Sequence, residues 1–146
     1  MSKKKLEELE KAYKEKVSEC TNLRKQYFEA KIKEEYGEYL NKFTICHLSD
    51  DHFPIGDRYM YITKIEYSPI KAKHIIVRGV GFDEHLTYEN EEMENIKSIN
   101  FSFDVNSSID IFNDDLEIEV ISEQEWREKY TEYVGRLTSY INEMKF

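Results

Sequence analysis

Fourteen consecutive residues, "TICHLSDDHFPIGD" from Thr44 to Asp57, gather a thiol, two imidazoles and three carboxylates: Cys46, His47, Asp50, Asp51, His52 and Asp57. All of these groups can bind zinc or manganese. Structural zinc sites, however, usually recruit their ligands from paired C-x-x-C or H-x-x-x-H spacings, and no second cluster of that kind occurs in the chain. If "KFTICHL" is extended, Cys46 and His47 point to opposite faces, so only one of them can share a site with the residues that follow. Asp, Pro and Gly in "SDDHFPIGD" are also what a strand connection uses to satisfy its own backbone. The stretch is expected to be a strand and a connection, holding no metal and no cofactor.

Two tripeptides, His47-Leu48-Ser49 and His85-Leu86-Thr87, carry an H-x-[S/T] pattern. In this respect the sequence resembles the two-histidine phosphoesterases. That resemblance implies histidines acting as acid and base on a phosphate whose oxygens the hydroxyls hold, which is sound chemistry near neutral pH. The sequence departs from the pattern in its surroundings. Asp50 and Asp51 follow the first tripeptide, Asp83 and Glu84 precede the second, and carboxylates repel a phosphate substrate. No G-x-S-x-G, Walker loop, C-x-x-C or H-E-x-x-H is present. The acidic run "ENEEMEN", Glu89 to Asn95, lacks the glycine and alternating oxygen donors of a calcium loop. No catalytic residue is assigned, and an enzyme is the third choice of function.

Charge is more informative. Met1 to Tyr36 carries ten Lys/Arg against eight Asp/Glu, Gly37 to Phe82 six against five, and Asp83 to Phe146 five against seventeen, so the segments hold +2, +1 and −12 of the net −9. An acidic C-terminal half opposes direct binding to phosphate backbones and favours a basic partner. The partner-binding surface is expected from Asp83, Glu84, Glu89, Glu91, Glu92, Glu94, Asp110, Asp114, Asp115, Glu117 and Glu119.

The elements that must position these groups follow from spacing. Ser2 to Tyr36 contains neither Gly nor Pro, and Gly37 then supplies a helix stop, so a helix over 3–36 is predicted. Leu6, Tyr13, Cys20 and Tyr27 fall at one heptad seam position, and Leu9, Lys16, Leu23 and Ala30 at the other. Such a helix spans on the order of 50 Å, longer than a domain of this mass is wide, so part of it must project, pair with a second copy, or fold back on the C-terminal helix. Ser122 and Glu125 form a capping box and Ile121 and Trp126 a hydrophobic staple, which start a second helix at 123. Trp126, Tyr130, Tyr133, Val134, Leu137, Tyr140, Ile141 and Met144 give this helix, 123–144, a wide apolar face expected to be core.

Between the helices, over 42–121, the period becomes two. "RYMYITKIEY", "SINFSFDV" and "DLEIEV" alternate, and "KFTICHL", "KHIIVRGVGF" and "SIDIF" extend the set. The fold class is α+β: a long N-terminal helix, an antiparallel sheet or small barrel of five or six strands, and a C-terminal amphipathic helix. Short connections exclude parallel crossovers and hence a doubly wound nucleotide-binding fold. Gly79 and Gly81 are expected to mark a bulge or sharp bend. At 146 residues the chain fits a single domain, 1–146. Without a secretory signal or an apolar stretch of about 20 residues, both cysteines are expected to be reduced thiols in the cytoplasm, away from any membrane.

A charged helix ending in "KEEYGEYLNK", a run of aromatic strands and a closing "EVISEQEWREKYTEYVGRL" together resemble the small accessory proteins carried by bacteriophages and mobile elements of Gram-positive bacteria, anti-CRISPR and other anti-defence inhibitors among them. The resemblance implies a non-enzymatic binder acting in the host cytoplasm, its acidic surface engaging a basic partner such as a nucleic-acid-binding defence complex. The alternative is a structural or assembly protein that dimerises through the N-terminal helix.

Overall fold

The computed structural model describes residues 2–51, 53–92 and 95–143, without the side chains of residues 85–88, 96, 99 and 140. The chain forms two compact units, Met1–Gly37 and Glu38–Phe146. The first is helix α1, Lys3–Tyr36, started by Ser2, whose hydroxyl accepts from the Lys5 amide at 3.2 Å. The second contains β1 (Phe43–Asp50), β2 (Phe53–Tyr67), β3 (His74–Tyr88), β4 (Ile96–Phe112), a 3₁₀ turn at Asn113–Asp115, β5 (Leu116–Val120) and helix α2 (Glu123–Glu143). The fold is α+β, with one antiparallel sheet in the order β4-β3-β2-β1-β5.

This sheet cannot be flat. Register places Phe112 near the level of Tyr67 on β2, whereas Leu116 pairs with Leu48 and so stands level with Gly56. In a flat sheet those levels lie about 35 Å apart. The three residues of the 3₁₀ turn reach no more than about 14 Å. The sheet must therefore roll so that the end of β4 meets the start of β5, and this gives it an inner and an outer face. Inner positions carry Thr44, Cys46, Met60, Ile62, Ile75, Val77 and Ser107, all 2% exposed or less. Irregular registers at Ile62/Lys64 and at Gly79/Gly81 supply the bend. Gly79 is required there, because a Cβ at that position would stand 1.9 Å from the Tyr61 carbonyl oxygen.

The outer face packs on α2. Ile45, Tyr59, Phe82 and Trp126 form its buried cluster, and Tyr59 stacks on Phe82 with ring centroids 5.1 Å apart. The Ser122 hydroxyl accepts from the Glu125 amide at 3.0 Å and Ile121 packs against the cluster, as the capping box and staple require. Tyr130 and Tyr133 lie edge-on to Phe82, but among the described residues of the face expected to be core only Trp126 is buried: Tyr133, Val134 and Leu137 are half-buried, and Tyr130 and Ile141 are 36% and 47% exposed. Met144 lies outside the described residues.

The strands correct the sequence reading in two places. "SINFSFDV" and "SIDIF" are one continuous strand, β4, so the count is five. "FPIGD" belongs to β2 and not to a connection; the reversal is made by Asp51, whose φ of 50° is left-handed. Beyond the Tyr59–Phe82 pair, β2 stays with β1 and β3 with β4, so the two hairpins part.

Candidate acidic corner around His47

Strand alternation sends Cys46 inward and His47 outward, as expected for an extended "KFTICHL". Cys46 is fully buried, and burial pushes its thiol up to about 11, so it is an un-ionised core group. His47 stands between two strands that each supply a carboxylate. Its Nδ1 donates to Asp57 Oδ1 on β2 at 2.7 Å, and its Nε2 donates to Glu119 Oε2 on β5 at 2.9 Å. An imidazole that donates from both nitrogens is the protonated form. The bond to Glu119 contributes most to raising its pKa above the ordinary value, Asp57 adds to it, and partial burial opposes both.

More carboxylates lie along the same strands and the turns that end them. Glu117 pairs in register with His47 on β5, and the Asp115 carbonyl accepts from the Ser49 hydroxyl at 3.1 Å, which joins the 3₁₀ turn to the end of β1. Asp114 precedes Asp115, and Asp50 and Asp51 close the β1–β2 hairpin beside them. Asp50, Asp51, Asp57, Asp114, Asp115, Glu117 and Glu119 thus share one corner. Among the described residues none of the seven is ion-paired to a lysine or arginine, and His47 is paired to two of them, Asp57 and Glu119. On the same hairpin, Phe53 and Ile55 are 75% and 61% exposed.

Of the surface expected from sequence, the structure brings together Asp114, Asp115, Glu117 and Glu119. The others lie elsewhere. Glu84 is bound by Arg136 of α2 through Nε and Nη2, and its side chain is only 8% exposed. Asp110 accepts from His74 Nδ1 at 2.9 Å and pairs with Lys71 at 3.6 Å; the His74 bond is the main cause of its lowered pKa. Asp83 is half-buried opposite Ser102. Glu89, Glu91 and Glu92 sit exposed on the β3–β4 connection, and Glu94 lies outside the described residues.

Asp50, Asp51 and Asp57 were weighed in the sequence as metal ligands and not as part of a surface. The signal that could have placed them was alternation through "FPIGD": Phe53, Ile55 and Asp57 recur at the strand period. His47 and His85 are on β1 and β3, with β2 between them, and the side chain of His85 is outside the description. Among the described residues no group of three or more His, Cys, Asp or Glu is arranged to hold a metal ion, and no helix is long and apolar enough to cross a membrane. No family model matches the chain, and no curated protein or solved structure matches it significantly.

Proposed function

We propose that this protein is a non-enzymatic binding protein whose acidic corner engages a basic protein partner. The observation that supports the reading is a corner of seven carboxylates from β1, the β1–β2 turn, β2, the 3₁₀ turn and β5, two of them bonded to His47, with none of the seven paired to a lysine or arginine among the described residues. Isolated exposed carboxylates contribute little to affinity, but a cluster of one sign steers a basic surface into contact and sets its orientation. Phe53 and Ile55 beside it supply apolar area that charge alone lacks, and binding energy concentrates in such anchors. In its more specific form the partner is a nucleic-acid-binding complex of a host defence system, whose phosphate-binding groove the corner would occupy in place of nucleic acid. That setting rests on the resemblance to phage-carried accessory proteins.

The test uses a lysine-rich peptide as probe, followed by amide chemical shifts in the full chain. Perturbations should centre on β5 and the β1–β2 hairpin, weaken steeply with added salt, and disappear in an Asp114→Lys, Asp115→Lys, Glu117→Lys triple variant. Shifts centred on Glu89, Glu91 and Glu92 would move the interface to the β3–β4 tip, and no shifts anywhere would remove the proposal. For the specific form, the protein should displace DNA from a purified defence complex and the triple variant should not.

A further inference from the structure

Helix α1 is continuous across its whole heptad pattern, and the seam it presents is open. Leu6, Leu9, Tyr13, Val17, Leu23 and Tyr27 are between 46% and 69% exposed, and Cys20 is exposed as well. A row of large apolar side chains in water along one stripe of a long helix needs a cover. The spacing of the stripe is that of a coiled-coil seam, with Leu6, Tyr13, Cys20 and Tyr27 at a and Leu9, Lys16, Leu23 and Ala30 at d.

The charges beside the seam select the occupant. In this register Lys5, Ala12, Glu19 and Gln26 occupy g, and Glu10, Val17, Arg24 and Lys31 occupy e. In a parallel, in-register pair each g residue meets the e residue five positions later on the other chain. Lys5 then meets Glu10, Ala12 meets Val17, and Glu19 meets Arg24; two of these contacts are opposite charges, one is apolar, and neither charged pair is of like sign. The antiparallel arrangement that keeps each a layer against a d layer fares worse. It brings Glu10 to Arg24, but it also sets Glu19 against Glu19 and Lys5 against Lys33. We infer that α1 pairs with α1 of a second copy of this chain as a parallel, in-register two-stranded coiled coil.

Lys16 is the flaw in this seam. At d it faces its own copy, and its ammonium reaches outward to Glu19 of the same helix at 3.3 Å, which lets the stem pack while the charge stays in water. The dimer is accordingly weak and reversible, and replacing Lys16 should strengthen it. Cys20 reports the polarity. In the parallel arrangement it faces the same residue across the two-fold axis, close enough for a disulfide; in the antiparallel one it faces Lys16. Cys46 cannot interfere, being fully buried.

The full chain should therefore sediment as a concentration-dependent dimer at about 100 µM, where a micromolar dissociation constant leaves mostly dimer. Lys16→Leu should tighten it by about tenfold or more, since each copy then buries a leucine in place of a charge. Leu9→Asp with Leu23→Asp should give a monomer with unchanged near-ultraviolet circular dichroism. Glu19→Arg should weaken the dimer, and adding Arg24→Glu should restore it. Mild oxidation should produce a covalent dimer that Cys20→Ser abolishes. A monomer at 100 µM that Lys16→Leu leaves monomeric would overturn the pairing. A dimer that resists crosslinking through Cys20 would overturn its parallel register.

Discussion

His47 is where the chemistry of single residues is most exposed to test. Its ordinary pKa is 6.5, and the bonds to Glu119 and Asp57 raise it in the folded chain. A group whose pKa rises on folding stabilises the folded state fully below its unfolded value and loses that contribution as pH rises through the folded one. His47→Ala should thus cost more stability at about pH 6 than at about pH 9, measured by urea denaturation at both. An equal cost at the two values would show that the imidazole is held by packing and not by its charge. The same proton governs the proposed recognition with opposite sign. Above the folded pKa the imidazole no longer offsets the carboxylates it binds, so affinity for the lysine-rich probe should rise over the same pH window. Nuclear magnetic resonance titration of the His47 ring should show its pKa falling further in Glu119→Gln than in Asp57→Asn, following the order of the two contributions.

At the scale of elements, the join between α2 and the sheet is made twice, once by the aromatic cluster and once by Arg136. The Arg136 guanidinium binds Glu84 on β3, donates to Glu132 at 2.7 Å and covers the Tyr133 ring at 4.4 Å. Glu84 is the buried member of the pair, its side chain 8% exposed against 42% for Arg136. Truncating Arg136 strands a mostly buried carboxylate, a cost of about 2–4 kcal/mol, between an exposed pair and a fully buried one. Replacing both residues by leucine should return most of that loss, because the desolvated charge goes with its partner. Thermal melts of Arg136→Ala and of the double variant check this, and equal destabilisation of the two would contradict it. These elements were largely legible in the sequence because each carries a local signal: a Gly- and Pro-free run for α1, a capping box at Ser122 for α2, and period-two alternation for the strands. The fusion of "SINFSFDV" with "SIDIF" was not legible, because polar Asn106, Ser107 and Ser108 read as a break until the rolled sheet turns Ser107 inward against the bend at Gly79 and Gly81. Nor was the neutralisation of Glu84 and Asp110, since their partners Arg136, His74 and Lys71 lie far away in sequence and only the fold delivers them. The site suffered in the same way: a list of carboxylates carries no register, and the corner exists because β5 pairs with β1.

For the whole molecule, the division into Met1–Gly37 and Glu38–Phe146 sets two kinds of stability side by side. The second unit has an aromatic cluster and a lined interior; Phe82 has no exposed surface, and a truncation there should cost about 3–5 kcal/mol. The first unit is a helix whose apolar seam from Leu6 to Tyr27 faces water while Ile32 near its end is buried, and a lone helix is marginal in water even at favourable composition. On the pairing inferred above, its stability comes from a second copy, so it should depend on protein concentration in a way that the sheet unit does not. Heating should reveal this as two transitions. Far-ultraviolet circular dichroism, weighted towards α1 as the longer helix, should lose amplitude in a first phase whose midpoint climbs with concentration and with Lys16→Leu. The near-ultraviolet signal of Trp126 and the tyrosines packed around Phe82 should remain through that phase and vanish in a second one, independent of concentration. A single transition, coincident in both signals and unmoved by concentration, would mean that α1 draws its order from within one chain, and the seam residues would then have to be read as surface.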